Sequence, residues 1–107
     1  MYANGEGVPE DDAEAVKWYR LAADQRDAGA QNNLGYMYAN GMGVPEDYVR
    51  AYAWLNIAAA SGDEDAIELR SMTRELMTPS QIAEAQQLST EIFERIQQGE
   101  LVKLDLC

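Results

Sequence analysis

The chain has no histidine and a single cysteine, Cys107, at its last position. Without histidine it lacks the usual general base and the commonest metal ligand. One cysteine forms no internal disulfide, which excludes a disulfide-stapled scaffold and a cysteine-only metal site. Positive charge is scarce: 8 lysines and arginines stand against 19 aspartates and glutamates, a net charge of −11. Such a surface repels phosphate, so nucleic acid and anionic membranes are poor partners and a basic protein or peptide is favoured. The plainer account of the acids is solubility and helix capping. No basic-then-apolar leader opens the chain, and no apolar run approaches the roughly 18 residues of a membrane span. As written, the chain reads as cytoplasmic; a periplasmic or secreted location stays open if a leader was trimmed. No cofactor and no metal are expected.

What is present is one stretch that occurs twice. Tyr2-Ala3-Asn4-Gly5-Glu6-Gly7-Val8-Pro9-Glu10-Asp11 returns 36 residues later as Tyr38-Ala39-Asn40-Gly41-Met42-Gly43-Val44-Pro45-Glu46-Asp47. The same offset relates Ala15 to Ala51, Trp18 to Trp54, Ala22 to Ala58, Ala23 to Ala59, Asp27 to Asp63 and Ala30 to Ala66. A fixed period of this size is the signature of stacked helical repeats. The expected fold is all-α: an α/α superhelix, or solenoid, of about two repeats with a C-terminal capping helix. One domain is expected over 1–107, divided as a first, N-terminally truncated repeat (1–36), a second repeat with the start of a third (37–76), a capping helix (78–98) and a tail (99–107).

The glycines Gly5, Gly7, Gly41 and Gly43 supply sharp turns between helices. Asp11, with Glu14 three residues on, reads as an N-cap and capping box for a helix over 12–24, whose inward face is Ala15, Trp18, Tyr19 and Ala22. Asp27 caps a helix over 28–39, with Ala30, Leu34, Met37 and Tyr38 inward. Gly35 lies inside that helix, where glycine costs about 1 kcal/mol relative to alanine. The expected return is close packing against the Trp18 or Trp54 ring. Asp47 caps a helix over 48–60, with Ala51, Trp54, Leu55 and Ala58 inward and Gly62 closing it. Arg26 stands where the second copy has Gly62, so that turn is expected to be strained or differently closed.

Asp63 opens a helix over 64–76, where the repeat decays: Arg70 replaces Leu34 and Ser71 replaces Gly35. Thr78-Pro79-Ser80-Gln81 then reads as an N-cap, an N1 proline and a capping-box glutamine. It launches a helix over 79–98 with the stripe Ile82, Ala85, Leu88, Ser89, Ile92, Phe93 and Ile96. Terminal repeats are atypical because they seal the core, which fits this helix as the cap. Gly99 is expected to end it, and the apolar tail after it to dock on the array or on another chain.

The series Ala30, Leu34, Gly35, Tyr38, Gly41, Gly43, Val44, Pro45, Asp47, Ala51, Trp54, Ala58, Ala59 resembles the Sel-1-like repeat (SLR) family, helix-pair relatives of the tetratricopeptide repeat. The segment from Met77 to Ala85 also resembles the terminal helix of such arrays. The resemblance covers nearly the whole chain. It implies a right-handed α/α superhelix and a role in protein–protein interaction. Cysteine-rich secreted members bridge each helix pair with disulfides, which this chain cannot do, so activities of that subgroup do not transfer.

Met1-Tyr2 falls in register with Met37-Tyr38, inside what would be the last turn of an earlier helix. The chain therefore reads as trimmed from a longer array or begun at an internal methionine. Val16, Trp18 and Tyr19 would lack cover on one side, favouring a homodimer through the truncated edge; the alternative is that the tail or a loop covers it.

The two Asn-Gly-x-Gly loops superficially suggest phosphate binding. Val-Pro follows each, however, and proline has no N–H, so a structural turn is the better reading. The clusters Glu10-Asp11-Asp12 and Asp63-Glu64-Asp65 sit at helix starts, where acids complement the dipole, and read as caps rather than as catalytic or metal-binding groups. Trp18 and Trp54 read as core rather than as a ligand platform. No catalytic residue is assigned.

One stripe changes character between repeats. Asn33, Tyr36 and Asn40 become, 36 residues on, Leu69, Met72 and Leu76. In tetratricopeptide-like solenoids these helices line the concave face. Either the capping helix folds over the three apolar residues, or all six line a peptide groove, with amides bonding an extended backbone at one end and an apolar pocket at the other. The favoured function is a non-enzymatic adaptor presenting this helical surface to a protein. The alternatives are an inhibitor or immunity-type protein that blocks a basic toxin or enzyme and, more remotely, a hydrolase acting on cell-wall-like substrates.

Overall fold

The computed structural model describes the backbone of residues 9–106 and the side chains of residues 12–98. Gly5 and Gly7 lie outside the described residues. The order is α1 (Pro9–Asp24), α2 (Ala28–Asn40), α3 (Tyr48–Ala60), α4 (Glu64–Arg74) and α5 (Pro79–Leu106), with no strand among the described residues. Neighbours pair as α1 with α2, α2 with α3 and α3 with α4, while α5 turns back onto α3. The all-α solenoid read from the 36-residue period is the architecture found.

Four helix starts are made by the side chains the sequence places there. Asp27, Asp47 and Asp63 accept from the N–H groups of Ala30, Arg50 and Ala66 at 2.9, 3.0 and 3.0 Å, each closing one of the donors a helix leaves open at its start. Thr78 and Gln81 complete a reciprocal capping box: Gln81 N–H donates to Thr78 Oγ1 at 3.1 Å and Thr78 N–H to Gln81 Oε1 at 2.9 Å. The fifth expectation fails. Asp11 lies inside α1, which begins at Pro9. Proline is at home in the first turn of a helix, where its missing N–H is not needed.

The repeat extends to the turns. Asp27 N–H bonds Ala22 O and Asp63 N–H bonds Ala58 O, at 3.2 and 3.3 Å. The residue before each aspartate is left-handed: Gly62 at φ 92° and Arg26 at φ 73°. The same turn is thus built on arginine in one copy and on glycine in the other, at the steric cost that a Cβ carries in that region. Gly41, at φ 63°, ends α2, and its N–H bonds Met37 O.

Helix α3 is the centre. Ala51, Tyr52, Ala53, Trp54, Leu55, Ile57 and Ala58 are all buried, because α2, α4 and α5 cover it from three sides. Gly35 lets α2 approach it. A Cβ at position 35 would stand 2.6 Å from Leu55 Cγ and 3.1 Å from Ala51 O. The close approach is therefore to Leu55, not to a tryptophan ring. Gly35→Ala is expected to destabilise the fold by about 1–3 kcal/mol even though alanine is the better helix former, because the overpacking outweighs the propensity gain. Urea unfolding checks this; a stabilised variant would contradict the packing.

Other expectations are corrected by where α5 runs. Gly99 does not end the helix, which continues to Leu106. A lone glycine weakens a helix by about 1 kcal/mol and need not stop it. Among the described side chains of α5, Ala85, Ser89, Ile92 and Ile96 are buried, while Phe93 is exposed. On α1 the buried face is Val16 and Ala23, with Ala15, Tyr19 and Ala22 half-buried against the core, and Trp18 is exposed. Helix α4 stops at Arg74, two residues short of the expected end. Docking of the tail after Gly99 concerns side chains outside those described.

Candidate functional site

Helices α2 and α4 both pack on α3 and leave a groove of about 470 Å³ between them. Tyr36, Ala39 and Asn40 form the α2 wall, and Leu69, Met72, Thr73, Glu75 and Leu76 form the opposite wall at α4 and the turn after it. Glu46 and Tyr48 close one end, and Leu55 reaches the groove from α3. Five of the six stripe residues therefore line one space: Tyr36, Asn40, Leu69, Met72 and Leu76. Asn33 is exposed on α2 and is not among the lining residues.

The sequence left two accounts of this stripe, and the packing decides the structural half of the choice. The capping helix does not fold over Leu69, Met72 and Leu76, because α5 lies on α3 instead. Met72 and Leu76 keep 60% and 63% of their surface exposed. Tyr36, 46% exposed, faces the same space. Leu69 is half-buried against the small cluster of Leu55, Ala58 and Ala66, which anchors the floor.

The polar residues of the groove are already partly engaged. Asn40 Nδ2 donates to Tyr36 O at 2.8 Å, and Thr73 Oγ1 donates to Leu69 O at 2.8 Å. Tyr48 Oη reaches Glu46 Oε2 at 3.5 Å. The lining has two carboxylates, Glu46 and Glu75, and no lysine or arginine. The field there is negative on a chain of net charge −11.

A polar thread that sequence reasoning missed fixes the wall of this groove. Arg70 Nη1 donates to Asn56 Oδ1 at 2.7 Å, Asn56 Nδ2 to Ser89 Oγ at 3.0 Å, and Ser89 Oγ to Gln86 O at 2.9 Å. It ties α4 through α3 to α5. Arg70, the residue that breaks the repeat at the Leu34 position, thus exchanges an apolar contact for a hydrogen bond. The signal was available in that substitution. Its partners, on α3 and α5, were not.

A second space of about 460 Å³, lined by Asp47, Val49, Arg50, Glu84, Gln87, Leu88 and Glu91, lies between the start of α3 and α5. Arg50 is held there by Asp47 at 3.0 Å, and carboxylates otherwise dominate its polar lining. Among the described residues, no group of histidine, cysteine, aspartate and glutamate is placed to hold a metal ion, and no helix is long and apolar enough to cross a membrane.

Helix pairs related by a fixed offset, sealed by a longer terminal helix, define a helical-repeat solenoid. The Sel1 repeat family model matches residues 1–27 and 28–63, and the chain belongs to that family. Sel1 repeats are in general protein–protein interaction modules and typically not enzymes. No match was found among curated proteins. Among solved structures, the chain is similar to a protective antigen present in uropathogenic Escherichia coli strains and displaying an SLR fold, at 33% identity and a TM-score of 0.80 over 95% of this chain. This chain spans 22% of the length of that protein.

Proposed function

We propose that the chain is a non-enzymatic adaptor module whose partner protein seats in the groove between α2 and α4. One observation carries this: Tyr36, Met72 and Leu76 are large, exposed and gathered around one concave space, whereas the apolar side chains of α3 are covered. Apolar residues gathered in this way around a groove mark interaction surfaces, while single exposed apolar residues are ordinary. The acidic lining favours a basic partner. An inhibitor of a basic toxin or enzyme would use the same surface and would differ in holding one partner tightly.

The test is selection of binders from a random linear peptide library, followed by measurement of each against variants. Met72→Asp with Leu76→Asp is expected to weaken binding at least tenfold, since both place charge in an apolar contact. Tyr36→Ala is expected to weaken it as well, and Asn33→Ala to leave it unchanged. Thermal melting should barely move in the double variant, because both side chains are mostly in water. Selected binders that tolerate the double variant would exclude the groove.

A second reading rests on α1. Trp18 and Leu21 are 62% and 57% exposed, while their counterparts Trp54 and Ile57 are buried. This edge would pair with the same edge of a second copy. Light scattering over a concentration series tests it: a dimer disrupted by Trp18→Ser supports the reading, and a monomer throughout refutes it.

A further inference from the structure

We infer that the occupant of the groove is a short amphipathic helix with basic flanks, not an extended strand; this rests on the groove reading above. An extended segment brings a row of unpaired N–H and C=O groups, which must find partners when buried. Strand-wise recognition normally satisfies them at a sheet edge. Here the walls are helical except for the turn at Glu75 and Leu76, whose N–H groups bond Ser71 O and Thr73 O, so neither wall offers a strand edge. Beyond the Tyr36 and Tyr48 hydroxyls, the lining side chains do little to make up the deficit. The one lining amide, Asn40, directs its Nδ2 to the Tyr36 carbonyl, and the Thr73 hydroxyl is directed to the Leu69 carbonyl. Glu46 and Glu75, when ionised, only accept.

A helix arrives with its own backbone bonds made, and needs only an apolar face to meet. The groove offers one. Leu69 and Met72 share one face of α4 and Leu76 stands on the turn after it, with Tyr36 opposite. Such a row receives a second helix by interlocking of side chains. Met72, unbranched and polarizable, adapts to different partners. Glu46 and Glu75, without a lysine or arginine among the lining residues, select lysine or arginine beside the partner's apolar face.

The probes are two peptide libraries of about 16 residues, roughly four helical turns. One carries leucines at helical spacing with variable lysine-rich flanks. The other is identical but holds a central proline, which breaks a helix and is tolerated in an extended chain. Both are selected against the intact chain. The expected result is binders from the first library alone, a gain of ellipticity at the helical band on mixing, and loss of binding with Met72→Asp. Glu46→Gln with Glu75→Gln should weaken these binders about fivefold at low salt and remove much of their salt dependence. Equal binders from the proline library, also lost with Met72→Asp, would overturn the helical occupant and leave the groove standing. Binders indifferent to Met72→Asp, or none from either library, would overturn the groove and this inference together.

Discussion

Trp54→Ala is expected to lower the folding free energy by about 3–5 kcal/mol, and Trp18→Ala by no more than about 0.5 kcal/mol. The two tryptophans occupy the same position of the repeat, 36 residues apart, followed by the same pair of alanines. Their surroundings differ. Trp54 is 2% exposed, in a core shared with Val16, Leu34, Tyr38, Ile57, Ile92 and Ile96. Trp18 is 62% exposed on an edge helix that pairs with α2. Removing the first ring leaves a cavity walled by α2, α3 and α5; removing the second leaves water where there was already water. In a small domain with a total stability of about 5–15 kcal/mol, the first loss is a large share of the whole. Urea midpoints of the two variants measure the difference. Equal losses would mean that Trp18 is covered, contrary to its exposure.

The second large effect is expected at Gly43→Ala, about 2–5 kcal/mol. Gly43 has φ 75°, and a Cβ there would stand 2.5 Å from Asp12 O, 2.6 Å from Asp12 C and 2.9 Å from Ala13 N. All three are backbone atoms of α1, so no rotamer change relieves the overlap. The loop after α2 and helix α1 must separate, or the turn must rebuild. Gly62→Ala is the control. It has φ 92° but nothing within 4 Å, so only the backbone term, about 1–2 kcal/mol, is expected. A Gly43 variant no worse than the Gly62 variant would show that the loop does not press on α1.

The repeat made much of the fold legible, because local chemistry is local in sequence. The three aspartate caps and the Thr78/Gln81 box were placed correctly from side-chain chemistry alone. The buried apolar residues Ala30, Leu34, Met37 and Tyr38 of α2 followed from their spacing, whereas the buried Gln31 did not. What was not legible depends on neighbours. Trp18 and Trp54 look alike in sequence and differ because α5 packs on α3 and not over the outer face of α1. The stripe of Leu69, Met72 and Leu76 read somewhat more readily as covered by the capping helix than as an open groove, and only the path of α5 separates the two. Glu46, Tyr48 and Glu75 carry no periodic signal of their own. They enter the groove because the loop before α3 and the turn after α4 end at the same place. Asn33 fell out for the opposite reason: its spacing fits a helix face that continues past the rim.

If a partner binds in the space between α2 and α4, the methionine methyl groups report on it directly. Met72 stands 60% exposed in the groove, whereas Met37 is buried in the core at 7%. Methyl NMR of the intact chain, titrated with a peptide selected against it, should move the Met72 signal strongly and leave Met37 nearly still. A saturable titration in which Met72 stays silent, while methyl signals from Leu21 or the outer face of α5 shift, would place the partner elsewhere.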